Sequence, residues 1–268
     1  MIVKSKEGIG KYMAVKIAIA NKKGGIGKTS TALCLASGLK LREKRVLLID
    51  TDPQKSATGV YGAITENSAT LADMLYDGEK AEECIQALPL GDIIACDSLL
   101  EAADTKIPAD ADRFYKLSDA CENLEKMYDY IILDCPPGNG VILGNVLSYA
   151  DYVITPITCD KFGIQGLSEF KNVMAPYTKR INPNLKVLGV LITMYKGNQS
   201  LTKDLEEGII PQKVKELDSV VFETKIRESV KLRESQLLGR SIFEYAPNNP
   251  VAIDYNLFVE EVLRKVRD

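Results

Sequence analysis

A chain of 268 residues with 46% hydrophobic content has ample material for a large buried core in one or two domains, and no stretch of it reads as a linker. Its 34 Lys and Arg against 37 Asp and Glu give a net charge of −3, which excludes coating of nucleic acid by bulk charge and leaves room only for a local basic patch. There is no histidine, which excludes histidine bases, histidine triads and most zinc sites, so proton handling falls to carboxylates or water.

Met1 to Tyr12 is polar and contains glycine, so residues 1–14 are expected to be a short extension without a signal peptide, leaving 15–268 as a single domain. Val15 to Asn21 (VKIAIAN) is an apolar, β-branched run of strand length, and Thr29 to Lys44 has the alanine, leucine and polar spacing of a helix. Between them stands KKGGIGKTS, Lys22 to Ser30. The ordinary phosphate-binding loop reads GxxxxGK[ST]; Gly27, Lys28 and Thr29 supply its second half, while Lys22 stands where its first glycine belongs. In exchange, Lys23 directly precedes Gly24 and Gly25, giving KGGxGKT, the deviant Walker A arrangement. At ordinary residue frequencies a chance match to every fixed position is expected in about 1 chain in 10,000 or fewer.

The glycines let the backbone turn through positive φ and bring its N–H groups against phosphate oxygens, and the helix N-terminus adds partial positive charge. Lys23, Gly24, Gly25, Ile26, Gly27, Lys28, Thr29 and Ser30 are therefore the candidate nucleotide-binding residues. Lys28 is expected to bridge the β- and γ-phosphates, and the Thr29 hydroxyl to ligate a magnesium ion.

Strand-like runs then recur at Arg45 to Asp50, Asp92 to Cys96, Tyr128 to Asp134, Asp151 to Ile157, Lys186 to Thr193 and Val220 to Glu223, with helical patterns between them. Near-continuous apolar strands alternating with helices predict a doubly wound α/β domain, a mostly parallel sheet with helices on both faces. Ligands of such sheets bind outside the carboxyl ends of the strands. DTDPQKSAT, Asp50 to Thr58, places two aspartates at one such end, projecting to opposite sides of the extended backbone, so one faces the metal shell and the other the γ-phosphate. Pro53 ends the strand and fixes a turn at Asp52, which suits a carboxylate that holds a water in line. YDYIILDCPPG, Tyr128 to Gly138, has the form of a Walker B element with Asp134 as its metal carboxylate. Cysteines at 34, 84, 96, 121, 135 and 159 show no CxxC spacing, which fits a reduced, cytosolic setting.

KKGGIGKTS, DTDPQKSAT, DYIILDCPPG, GVLITMYKGN and IRESVKLRES together resemble the successive motifs of the ParA family of chromosome and plasmid partition ATPases, in its short, Soj-like form, from about Val15 to the C-terminus. The resemblance implies a slow, magnesium-dependent hydrolysis of ATP to ADP and phosphate. It also implies an ATP-bound homodimer that binds double-stranded DNA without sequence preference, is released when a ParB-like protein stimulates hydrolysis, and works in the bacterial cytoplasm on the nucleoid. Lys23 matches the signature lysine that crosses the dimer to the partner's nucleotide, Lys28 and Thr29 match the P-loop lysine and magnesium hydroxyl, Asp52 matches the water-orienting aspartate, and Asp50 and Asp134 match supporting acids around the metal. With only 14 residues before the first strand, the helix-turn-helix domain of longer members is not expected.

Three departures from the family pattern stand out. Lys55 and Ser56 follow DPQ where members usually carry glycine and asparagine; Lys196 and Asn198 stand in the segment that often reads TMYD followed one residue later by arginine; and Arg227 replaces the usual proline after Ile226. Lys196, Lys225, Arg227, Lys231 and Arg233 are the candidate DNA contacts, and the last four form a cluster interrupted by Glu228 and Glu234 that reads either as a salt-bridged helix face or as a phosphate-contacting patch. A MinD-like regulator would end in a basic amphipathic membrane helix; Asn256 to Asp268 has apolar residues at 258, 259, 262, 263 and 266, but its mixed-sign polar face fits core packing, and no membrane contact is expected. A scaffold that positions a non-DNA cargo with the same dimer cycle is the alternative that the sequence leaves open.

Overall fold

The most apolar runs of the sequence become the middle of a sheet. The computed structural model describes residues 13–196 and 205–267, and in it the strands are β1 (Val15–Ile19), β2 (Val46–Asp50), β3 (Ile85–Leu88), β4 (Gly91–Ile94), β5 (Tyr130–Asp134), β6 (Tyr152–Thr158), β7 (Lys186–Tyr195) and β8 (Val221–Arg227). They form one eight-stranded sheet in the order β3-β4-β2-β5-β1-β6-β7-β8, parallel throughout except for the β3–β4 pair. This is the doubly wound, mostly parallel architecture that the alternation of strands and helices predicts.

Both faces are covered, which is why the central strands are mostly apolar. Side chains alternate across β1: Ile17 and Ile19 belong to one core with Leu48, Ile132 and Ile154, while Ala18 belongs to the other with Leu47, Ile49, Ile131 and Leu133. The first face packs helix α1 (Lys28–Lys40), and the second packs α2 (Val141–Tyr149) and part of α3 (Lys161–Pro176). The C-terminal helix α4 (Pro250–Arg267) also covers the first face: Val251, Tyr255, Phe258, Val259 and Val262 are buried there, and Phe258 meets Phe222 edge-on at 5.0 Å. Glu261 accepts from the backbone N–H groups of Glu223 and Thr224, which pins this helix to β8. Its apolar stripe is thus occupied by the core. Among the described residues no helix is long and apolar enough to cross a membrane.

The sequence reading differs from the structure at the edges. β3 is missed because Gln86 interrupts it and Ala87 is exposed, so it lacks the alternation of a half-buried strand. It folds back on β4 antiparallel, and Gly91 at φ 145 makes the turn. The first helix ends at Lys40 rather than Lys44, where Glu43 takes a φ of 59 before β2. β8 runs to Arg227, beyond the expected Glu223, because it pairs with the second half of β7, from Val190 to Tyr195.

Candidate active site

Parallel strands bring their carboxyl ends to one edge, and register decides what meets there. Asp134 pairs with Ile19 on one side and with Asp50 on the other, so the ends of β1, β5 and β2 are level. Short backbone bonds then tie the loops that follow: Gly138 N–H donates to the Lys22 carbonyl at 3.2 Å, and Thr51 N–H to the Asp134 carbonyl at 3.0 Å. Gly25 (φ 70) and Gly27 (φ 84) take the left-handed turns of the loop, and α1 begins at Lys28. Gly27 also lies beside Thr193, whose hydroxyl is 2.8 Å from the Ile26 carbonyl oxygen and 3.0 Å from that of Ile157.

Gly24, Gly25 and Gly27 to Ser30 of the loop line a cavity of about 490 Å³ together with Asp52, Gln54, Pro137, Met194, Ile226 and Leu232. Lys28 is buried within it, its ammonium donating to the Lys23 carbonyl at 2.9 Å across the loop. Burial lowers its pKa, and Cys135, Asp134 and Asp52 offset part of that shift. An ammonium held by one carbonyl in a desolvated, glycine-lined loop is primed for an anion.

The three carboxylates behave differently. Asp134 is fully buried, and neither of its oxygens has a hydrogen-bond partner among the described residues. Burial drives its pKa well above the ordinary value, the Asp50 carboxylate adds to this, and the Thr29 hydroxyl and Lys28 ammonium offset only part. An unpartnered buried carboxylate of this kind costs stability unless a cation meets it. Asp50, expected among the metal's acids, is engaged by its own loop: Oδ2 accepts from the Thr58 N–H at 2.7 Å and hydroxyl at 2.8 Å, and Oδ1 from the Asp52 N–H at 3.1 Å. It braces the turn that carries Asp52. Asp52 itself keeps one oxygen on the Gln54 N–H at 3.0 Å, its carbonyl accepts from Lys55 N–H at 2.8 Å, and it lines the cavity.

No group of three or more His, Cys, Asp or Glu side chains among the described residues forms a metal cage. The donor set fits magnesium nonetheless, because that ion keeps several waters and is held by one or two protein oxygens together with substrate phosphates. Asp134, with its orphaned oxygens, and Thr29 are the residues that would hold it.

Two of the candidate nucleotide-binding residues do not line the cavity: Ile26, which is buried in the core, and Lys23, whose Nζ lies 3.8 Å from Asp160 Oδ1 and 5.4 Å from the centre of the Phe162 ring. Ser30 accepts from the Gln236 amide at 3.0 Å. The candidate DNA contacts are engaged locally. Glu228 meets Lys196 at 3.2 Å and Arg233 at 3.5 Å, Lys231 meets Glu234 at 2.7 Å, and Lys225 lies 5.0 Å over the Tyr195 ring. Arg227 makes a two-pronged contact with Asp254, Nη2 to Oδ1 at 2.6 Å and Nε to Oδ2 at 2.8 Å. Arg227 and Arg233 also line the cavity, so the structure brings two of these five residues to the candidate nucleotide site. Asn198 lies outside the described residues.

Sequence reasoning passed over Thr58, Thr193, Asp160 and Phe162. Thr58 and Thr193 sat inside quoted motifs and only their contacts reveal them; Asp160 and Phe162 touch Lys23 from a part of the chain distant in sequence.

Four similarities to known proteins stand beside this geometry. The AAA domain family model covers residues 14–187. The sporulation initiation inhibitor protein Soj of Bacillus subtilis (strain 168) is 34% identical, over 92% of this chain and 97% of its own, and the chromosome partitioning protein ParA of Myxococcus xanthus is 31% identical, over 93% and 88%. Among solved structures, cobyrinic acid a,c-diamide synthase from Mycobacterium smegmatis, with ADP and magnesium bound, superposes with a TM-score of 0.80 at 26% identity, covering 96% of each chain.

Proposed function

The chain belongs to the ParA family of partition ATPases, and from that premise we propose that it is an ATP-driven dimerisation switch for partition. ATP binds with magnesium in the cavity, and two ATP-bound copies pair. The pair holds duplex DNA without sequence preference until hydrolysis, stimulated by a ParB-like protein, separates it. Its place of work is the cytoplasm, on the nucleoid. The observation that carries this reading is the ionic incompleteness of one strand edge: a buried Lys28 whose ammonium, among the described residues, donates to a carbonyl, beside a buried Asp134 whose charge the Thr29 hydroxyl and the Lys28 ammonium offset only in part.

Each residue has a defined task. Backbone N–H groups of Gly24 to Thr29 and the Lys28 ammonium take the phosphate oxygens, and their positive charge meets the charge that grows on the leaving phosphate. Asp134 and the Thr29 hydroxyl would hold magnesium, which would supply positive charge against the phosphates. Asp52, clamped at one oxygen by Gln54 and from behind by the Asp50–Thr58 brace, orients the attacking water with its other oxygen. Lys23 completes the partner's site rather than its own.

One observation favours a second reading, a scaffold that positions a non-DNA cargo: Lys196, Arg227, Lys231 and Arg233 each already meet an acid. Duplex binding measured with ATP, with ADP and across salt separates the two. The partition reading expects ATP-dependent, sequence-indifferent binding that weakens steeply with salt. Equal binding in ATP and ADP would remove the switch, and no binding in either would favour the scaffold.

A further inference from the structure

Both lysines of the KKGG loop lie on one helix. Lys22 Nζ meets Glu169 Oε2 at 2.9 Å, two turns into α3, and Lys23 meets Asp160 at the start of the same helix. The approach is close because Gly166 faces the loop: a Cβ there would sit 3.6 Å from both Lys23 Cβ and Asn21 Oδ1. Asn21 holds the other side, accepting from the Lys23 N–H at 3.2 Å and donating to the Pro156 carbonyl at 2.8 Å. Asp160 is fixed in place because its Oδ1 accepts the Gly163 N–H at 2.7 Å as the N-cap of α3. Phe162 is 67% exposed on the first turn of the helix, and the Lys23 ammonium lies over its ring, 5.4 Å from the centre.

We propose that Asp160 and Phe162 form a rest for Lys23, holding its ammonium out of the nucleotide cavity and against its own subunit until a second subunit presents a nucleotide. The proposal rests on the functional reading above, in which Lys23 acts across a dimer. Asp160 and Phe162 are positioning residues: they touch Lys23, not the reacting phosphate. A lysine so held must leave both a carboxylate and a ring face before it reaches across, so the rest opposes dimer assembly and slows premature hydrolysis. Its strength is that of an exposed ion pair plus an exposed cation–π contact, enough to shift the balance by about tenfold and weak enough for a nucleotide phosphate to overcome.

Two substitutions weaken the rest without removing the helix start. Asp160→Asn keeps an N-cap acceptor for Gly163 while losing the charge, and Phe162→Leu keeps an apolar side chain while losing the ring face. In nucleotide-free protein, the labelling rate of Lys23 by an amine-reactive reagent, read by peptide mass spectrometry, should rise roughly threefold in either variant and about tenfold in both together. With ATP, sedimentation should show the dimer forming at correspondingly lower protein concentration, and basal turnover should rise in step. Lys23 labelling is the readout that a merely structural role for Asp160 would not move. Unchanged Lys23 labelling, or a weaker ATP dimer in Asp160→Asn at unchanged melting temperature, overturns the rest. Normal dimerisation and turnover of Lys23→Ala alone overturns the cross-dimer reading instead, and the labelling arm then still reports whether the rest exists.

Discussion

The phosphate edge and the basic cluster on β8 are equally rich in charge, and they differ in whether that charge is answered. At the phosphate edge, among the described residues, the Thr29 hydroxyl and the Lys28 ammonium offset the buried Asp134 only in part, and the Lys28 ammonium donates to one carbonyl. Around β8, Arg227 is forked onto Asp254, Glu228 lies between Lys196 and Arg233, and Lys231 meets Glu234. Folding alone completes the second region but not the first. Unanswered buried charge therefore marks where a ligand must arrive, and answered charge at the surface marks structure or, at most, contacts that must first be broken.

The largest effect that would sharpen this contrast is expected at Asp52. Asp52→Ala should lower ATP turnover by about 100-fold or more while leaving ATP binding and dimer formation intact, because only the position of the water is lost. Steady-state phosphate release, beside a nucleotide titration, checks it; retention of turnover would remove Asp52 from the site. Lys28→Ala should act earlier, weakening ATP binding itself by roughly 10- to 100-fold through loss of a charged hydrogen bond in a desolvated pocket.

Asp134→Asn should separate stability from activity. The folded carboxyl has a pKa raised above its ordinary 3.8, so above that value the unfolded chain gives up a proton that the folded chain keeps. Stability of the nucleotide-free, magnesium-free protein therefore falls as pH rises from about 4 through the elevated folded pKa, and the penalty persists above it. The Asn variant should lose that slope and melt higher than the wild type near neutral pH, yet lose magnesium-dependent stabilisation by ATP. Melting curves across pH, with and without ATP and magnesium, test this; a variant that melts lower at neutral pH would mean that Asp134 is answered after all.

Arg227→Ala probes the other side of the comparison. It leaves Asp254, a mostly buried carboxylate, without its fork, at a cost of about 1–2 kcal/mol once the half-exposure of the arginine is allowed for. If Arg227 serves structure, duplex binding should change no more than stability does. A large, salt-dependent loss of duplex binding in a variant of normal melting temperature would place Arg227 on DNA instead.

Legibility followed the same division. The phosphate loop, the turn at Asp52 and the end of β5 were readable because each is a contiguous motif whose residue types follow from local chemistry: glycine for positive φ, proline to stop a strand, an acid after apolar residues. The order of the strands beyond alternation was not readable, nor was the β3–β4 hairpin, since Gln86 and Ala87 hide its pattern. Residues that act through space escaped as well. Nothing near Thr193 or Asp160 in sequence announces that one meets the Ile26 carbonyl and the other the Lys23 ammonium. The C-terminal helix went the other way: its narrow stripe and mixed charge predicted core packing, and Tyr255, Phe258 and Val262 are buried against the sheet.

The smallest effect concerns Lys55, where the family pattern has glycine. The residue sits at φ 57, ψ 32, the left-handed region, directly after the turn that holds Asp52, and its N–H donates to the Asp52 carbonyl. For a lysine that conformation costs about 1 kcal/mol, but replacing it with glycine would release that strain and at the same time add a comparable entropy to the unfolded chain. Asparagine tolerates the left-handed region without the glycine entropy. Lys55→Asn is therefore expected to be the more stable of the two, by about 0.5 kcal/mol, with Lys55→Gly close to wild type. Because the exposed side chain of Lys55 lies outside the cavity, both variants should keep wild-type turnover. A fall in turnover with stability unchanged would instead mean that the lysine has been recruited to the site that its neighbours build.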